Sequence, residues 1–396
     1  MNYVITKNNK TLSFVLMGVG ILSIVYGFAT DSLRAWGSLL MSNFYVMAIA
    51  LAGIFFLAVQ YVAEVGWSVQ IKRVLMAMGT YLPYAGGFLI LIFVVGHHDL
   101  YFWTHHEYYD KASPDYDRLL DGKHAFLNMP FYITRLVLYA GIWSYFALML
   151  RKESLKEDIV GGVINYKKSV KLSAIFLVLF AVSSSTSAWD ILMSIDAHWF
   201  STLFGWYVFA GMFVSGLTVI AMLVIYLKRS GYLPNVNDSH IHDLGKFMFA
   251  FSIFWTYLWF SQFMLIWYAN IHEEVAYYAF RQDHFKAIFV LNFLINFFCP
   301  FLILMTRDSK RIKGLILFIG SIMLIGHWLD VYLIVMPGVW TLQHCQNWQG
   351  VKTESPFSLY SRNQQPMLLT GAAFAKVKSC LQTMIGNTFI GLLSPQ

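Results

Sequence analysis

The chain of 396 residues is 58% hydrophobic and 18% aromatic but only 12% charged, with a formal net charge of +7. Soluble domains carry roughly 25% charged residues, whereas apolar stretches of twenty or more residues recur here from end to end. A water-soluble enzyme, a disordered chain and a disulfide scaffold are excluded, and the composition is that of an all-α polytopic membrane protein.

The chain opens on a short polar stretch with Lys7 and Lys10, then enters a long apolar segment without an A-x-A cleavage site. That segment reads as a first span rather than a signal peptide. A spanning helix needs about 20 mainly apolar residues, and nine segments qualify: 11–30, 39–60, 73–96, 130–150, 170–192, 202–227, 244–267, 286–306 and 312–335. A weakly apolar stretch at 369–393 carries Lys376 and Lys378 and makes a poor tenth span. Apart from Pro130 at the first position of span four, only Pro83 and Pro300 fall within spans, so spans five to nine are expected to run without a marked break. Three widely spaced cysteines (Cys299, Cys345 and Cys380) form no CxxC pair and no ligand cluster.

Charge placement orients the spans. Seventeen basic residues fall on the side of the N-terminus and seven on the opposite side or its helix ends, while the long loop 97–129 on that opposite side is acidic and aromatic. The positive-inside rule then puts the N-terminus in the cytoplasm. The +7 is a topology signal of this kind, not a nucleic-acid surface, and its natural neighbours are membrane lipids.

After the first span (segment 1–38), two groups of four helices, 39–201 and 202–338, are alike in order and flavour. Spans two and six open on Asn43-Phe44-Tyr45 and Trp206-Tyr207, spans three and seven end in His97-His98-Asp99 and His272-Glu273-Glu274, and spans five and nine end in Trp189-Asp190 and Trp328-Leu329-Asp330. A shift of four spans preserves orientation, so this pattern is a parallel repeat. The alternative is the ordinary gathering of aromatic and acidic residues at membrane interfaces.

Ionisable groups inside spans cost roughly 2.5–3.5 kcal/mol on insertion scales and persist where they face protein or water. In span five, Ser183, Thr186 and Asp190 share one helical face in the run Ser183–Ser187. Such a face either carries a water chain for protons or packs closely and bonds its own backbone. In span nine His327 and Asp330 again share a face; they either handle protons or bond locally near an interface. Arg135 lies early in span four and needs a carboxylate, for which Asp190 and Asp330 both qualify. Glu64 follows span two, as an interfacial residue or a proton-uptake group. Haem b wants paired histidines at matched depth on facing helices, and only His327 is well inside a span. No phosphate loop, nucleophile elbow or metal motif occurs.

Three stretches carry a family resemblance: Ser187 to Gly205 (SAWDILMSIDAHWFSTLFG), Leu244 to Glu274 (LGKFMFAFSIFWTYLWFSQFMLIWYANIHEE) and Gly326 to Gly338 (GHWLDVYLIVMPG). Together they resemble the NrfD/PsrC-like integral membrane subunits of bacterial alternative complex III, the ActF type first and its ActC-type sister second. The likeness covers roughly residues 10–338. It implies a ten-helix subunit with two four-helix bundles in a quinol:cytochrome c oxidoreductase of the bacterial inner membrane. The implied partners are iron–sulfur and c-haem subunits that carry the electrons, a homologous sister subunit and a terminal oxidase. The subunit itself would hold no covalent cofactor and no metal, and would meet menaquinol or ubiquinol.

The resemblance directs attention to Asp190, Asp330, His327, Arg135, Ser183, Thr186 and Glu64 as a proton path, and to His97, His98 and Asp99 as quinol-side candidates. Two departures stand out. Ala197 and His272 occupy positions commonly proline in the family, which makes His272 a turn residue rather than a ligand or base. Residues 339–396 turn polar and Gln-rich where a tenth span is expected. A proton-coupled transporter and a purely structural membrane anchor for redox subunits are the alternative functions.

Overall fold

A bilayer offers the backbone no partner but itself, so apolar runs of this length fold as helices. The computed structural model describes residues 7–113 and 116–348. Among them nine helical segments are long and apolar enough to cross a membrane, and none of these residues is in a strand. The protein is an all-α polytopic membrane protein. The stretches 349–396, with the doubtful tenth span, lie outside the described residues.

Polar residues at the helix starts set the boundaries. Asp31 separates α1 (Lys7–Thr30) from α2 (Ser32–Val62) and caps α2 by accepting from the Arg34 amide at 3.1 Å. The third span has two pieces, α3 (Lys72–Gly79) and α4 (Leu82–Leu100), with Pro83 in the first turn of the second. A loop holding the short α5 (Arg118–Lys123) leads to α6 (Met129–Val160), which Asn128 caps through the Phe131 amide at 3.0 Å. Then come α7 (Ile164–Ile191) and α8 (Phe204–Arg229). A capping box of Asn237 and His240 starts α9 (Asp238–Ala269). Asn270 ends that helix in the left-handed region at φ 50°. His272 opens α10 (His272–His284), a first-turn position where proline is also tolerated. The eighth span joins α11 (Lys286–Phe293) to α12 (Cys299–Leu304), and α13 (Lys313–Trp348) is the ninth.

The expectation of unbroken spans five to nine is corrected by the eighth. Between α11 and α12 the chain makes a π turn over Leu294–Phe298, and the Cys299 amide reaches back to the Leu294 carbonyl. The cause is Pro300, which has no N–H for the carbonyl of Asn296, so the turn widens just before it. The ninth span also runs past its expected end at 335 and carries Pro337 in its interior. At the opposite end of the molecule α6 continues beyond 150 through RKESLKEDIV, where Lys72 pairs with Glu157 at 3.2 Å and Arg73 with Asp158.

The first and fifth helices of the eight that form the body, α2 and α8, are the most deeply buried. They meet through small residues: a Cβ on Gly216 would lie 2.2 Å from that of Ala52. Without a hydrophobic drive inside lipid, such close backbone approach is what holds helices together. The helix α13 also contacts α2, where Tyr45 donates to the Leu324 carbonyl at 2.8 Å and a Cβ on Gly37 would meet Val339 at 2.9 Å. By contrast α1 is exposed along nearly its whole length.

Candidate functional site: two buried carboxylates

Asp190 sits on the last turn of α7 and is fully buried. From α6, Arg135 grips it with two parallel bonds, Nε to Oδ2 at 2.7 Å and Nη2 to Oδ1 at 2.8 Å. Tyr139 donates to Oδ2 at 2.7 Å, one turn further along α6. Tyr132 donates to the Asp190 carbonyl at 2.7 Å, and Ser194 donates to the same oxygen. The guanidinium also donates to the Phe126 carbonyl at 3.1 Å and lies over the rings of Phe126 and Phe131 at 3.9 and 4.3 Å. This is a bidentate pair with its charge neutralised and a third donor on the carboxylate. Of the two carboxylates open to Arg135 in the sequence, Asp190 is the partner.

The hydroxyl face leading to Asp190 is bonded locally. Ser183 accepts from Trp143 Nε1 at 3.0 Å, and its own hydroxyl points to the Phe180 carbonyl. Thr186 donates to the Val182 carbonyl at 2.9 Å and Ser187 to that of Ser184 at 2.9 Å. These are the back-bonds to the preceding turn that packed serines and threonines make in membrane helices. Glu64, the proton-uptake candidate, is exposed after the end of α2 with φ 51°.

Asp330, on α13, is built differently. Three helices each send it one neutral donor: Tyr207 from α8 to Oδ1, Asn292 from α11 to Oδ1 at 2.8 Å, and Trp255 from α9 to Oδ2 at 3.2 Å. Among the described residues no Lys, Arg or His forms an ion pair with it. Asn296, four residues on in the π turn, donates to Asn292 Oδ1 at 2.6 Å. The α13 backbone passes close at Gly326, where a Cβ would come within 2.3 Å of Asn296 Oδ1. The polar chain Asp330–Asn292–Asn296 therefore runs along the π turn with Gly326 making room for it.

His327 shares the face of Asp330, as its spacing predicts. Its ring stands edge-on to Trp255 at 5.2 Å between centroids, and both ring nitrogens are buried with no protein hydrogen-bond partner. It lines, together with Asp330, Tyr45 and Ser215, a cavity of about 20 Å³. A water needs roughly 10–15 Å³, so the cavity is about the size of one water.

The quinol-side candidates lie elsewhere. His97 and His98 are at the end of α4 with rings 4.5 Å apart, and His105 stands 4.9 Å from His98. Asp99 accepts from Ser32 at 3.4 Å, across the start of α2. His98 is exposed and the group does not line the Asp330 cavity.

Sequence reasoning missed Tyr207, Trp255, Asn292, Asn296, Tyr45 and Ser215. One signal for part of this set was present: Asn292 and Asn296 are four apart in an otherwise apolar run and so share a face. Neither a family model nor a curated protein matches this chain.

Proposed function

We propose that this chain is a membrane subunit of a respiratory quinol:cytochrome c oxidoreductase complex, in which Asp330 takes up and releases protons while partner subunits carry the electrons. The observation that carries the proton role is the setting of Asp330: a buried carboxylate with neutral donors and no cation, beside a water-sized cavity shared with His327. A carboxylate held by an arginine has a fixed counter-charge. One held by tyrosine, tryptophan and asparagine has no fixed counter-charge, and a proton is the smallest cation that can supply one.

The assignment to a quinol-oxidising complex rests on the three stretches that resemble the NrfD/PsrC-like subunits. On that reading the chain lies in the bacterial inner membrane with its N-terminus cytoplasmic. Its partners are iron–sulfur and c-haem subunits, a homologous sister subunit and a terminal oxidase. Menaquinol or ubiquinol would approach at the His97-His98-Asp99 end.

A proton-coupled transporter is the second reading, favoured by the interruptions at Thr80–Tyr81 and in the π turn, since transporters place broken helices at their sites. Purification from the native membrane separates the two: a complex reading requires haem and iron–sulfur subunits to accompany the chain. Within the complex, Asp330→Asn is expected to lower quinol-coupled proton uptake by on the order of 100-fold, the scale of a lost acid–base group. Unchanged uptake in assembled complexes of both Asp330→Asn and Asp190→Asn would leave only the anchor role.

A further inference from the structure

The helix that carries Asp330 contains its own point of weakness. Pro337 lies inside α13 and has no N–H to offer the carbonyl of Leu333, four residues earlier. At membrane depth an unpaired carbonyl is costly, and breaks in spanning helices are tolerated only where other groups re-satisfy it. Here the replacement donor comes from a different helix. Arg281, buried on α10, places Nε 2.9 Å from the Leu333 carbonyl and Nη2 3.2 Å from that of Ile334.

The same guanidinium is fixed from its other side. Nη2 also donates to the Asp196 carboxylate at 3.1 Å, and Nη1 to the Tyr277 carbonyl at 2.9 Å. Its plane lies over the Tyr277 ring at 3.2 Å, and that ring stacks on Trp199 at 3.9 Å between centroids. Close by, a Cβ on Gly338 would come within 2.7 Å of Ile195 and 3.1 Å of the Asp196 carboxylate. The glycine thus lets the turn after Pro337 rest directly against the Ile195–Asp196 segment. Four acceptors around one planar group, two of them the carbonyls at the proline break, call for the five-donor fork of arginine; lysine has a single nitrogen.

We infer that Arg281 is the positioning residue for Asp330: it pins the Pro337 break of α13 to α10 and to Asp196. Leu333 and Ile334 lie three and four residues after Asp330, about one helical turn. The rotation and height of that turn decide whether the carboxylate meets Tyr207, Trp255 and Asn292 together. Arg281 touches neither Asp330 nor the cavity; it acts through the backbone. The inference rests on this geometry rather than on the proposed proton role of Asp330.

The test reads the infrared bands of the Asp330 carboxyl in the assembled complex, isolated as those lost in Asp330→Asn. Arg281→Gln and Arg281→Lys are each expected to shift these bands, because the three donors lose their common alignment. Pro337→Ala restores an amide for the Leu333 carbonyl, so the shift caused by Arg281→Gln should shrink in that background, a coupling that a double-mutant cycle measures. Unmoved Asp330 bands in a folded Arg281→Lys or Arg281→Gln complex overturn the inference, as does an equal shift with and without Pro337. If the arginine variants fail to assemble, rescue of assembly by Pro337→Ala supports the pinned break, and failure of that rescue overturns it. Loss of the proton role, with Asp330→Asn fully active, would leave the band shifts intact and so is told apart from failure of the inference.

Discussion

Asp190 and Asp330 are both carboxylates in the body of the bundle, each on the last span of its group of four. Their partners differ in kind. The residue six positions past the start of α6 is Arg135, and the residue six positions past the start of α11 is Asn292; each reaches the carboxylate of its own half. Where one half supplies a cation, the other supplies an amide. The Arg135–Asp190 pair is closed, with two parallel bonds and stacked rings over the guanidinium. Asp330 is surrounded by donors from three helices, none of which can neutralise it. A buried acid is thus paired with a cation on the fifth span and held by neutral donors alone on the ninth.

The contrast is broken most severely from the first half. Arg135→Gln leaves Asp190 buried without its cation, and removing one partner of a buried pair typically costs about 3–5 kcal/mol. The expected outcome is a complex that melts well below the wild type or fails to assemble. The double variant Arg135→Gln with Asp190→Asn should recover much of that loss, as measured by thermal unfolding in detergent. Asp330→Asn behaves in the opposite way. It removes a buried charge that no cation balances and keeps the side-chain shape, so stability should hold while proton uptake falls. Equal stability losses for Asp190→Asn and Asp330→Asn would erase the distinction between the two halves.

Gly326→Ala sharpens the description of the Asp330 half. The new methyl group would overlap Asn296 Oδ1 and the Ile295 side chain, at 2.3 and 2.4 Å. Overpacking of this sort costs about 1–3 kcal/mol, and it falls on the π turn that aims Asn292. Reduced proton uptake is therefore expected beyond the loss of stability, whereas Gly141→Ala, in open space on α6, should change neither.

Smaller effects are expected along the Ser183 face. Ser183→Ala deprives Trp143 Nε1 of its acceptor, which should cost about 1–3 kcal/mol of stability for an unsatisfied buried donor. Thr186→Ala loses only a back-bond to its own helix and should change stability by less than about 1 kcal/mol. Neither is expected to alter proton uptake. A large uptake defect in Thr186→Ala with unchanged stability would return this face to the proton path and move the active acid from Asp330 to Asp190.

What the sequence made legible, and what it hid, follows the physics of each feature. The spans are legible because no helix can cross lipid without its apolar run. Their extensions, such as α6 through RKESLKEDIV, leave the bilayer and lose that mark. The Arg135–Asp190 pair is half-legible: a lone arginine in a span demands an acid, but two acids met the demand, and only packing chose. The Tyr207 and Trp255 donors to Asp330 are hidden because tyrosine and tryptophan are ordinary in membrane helices, and what distinguishes them is convergence with Asn292 from three separate helices. The π turn is hidden for a related reason. Pro300 warns of a break, but a widened turn and a kink have the same sequence cost.

The mildest expectation concerns the loop side of the first half, where Asp117 pairs with His198 and caps α5 through the amides of Leu119 and Leu120. Burial pushes the Asp117 carboxyl up, but the hydrogen bond and charge of His198 and the two amides pull it below its ordinary value of 3.8. The folded state therefore favours the carboxylate, and the stabilisation it brings is complete above pH 3.8 and lost as the pH falls through the lower folded value. Because the pair is partly exposed, its effect is small, less than about 1 kcal/mol. Asp117→Asn should leave stability near that of the wild type, with the difference between them shrinking only in acid. Asp190 sits in the same half, gripped by Arg135 through two parallel bonds. A shared acid midpoint for Asp117→Asn and wild type would show that the loop latch adds nothing to the stability of the first half.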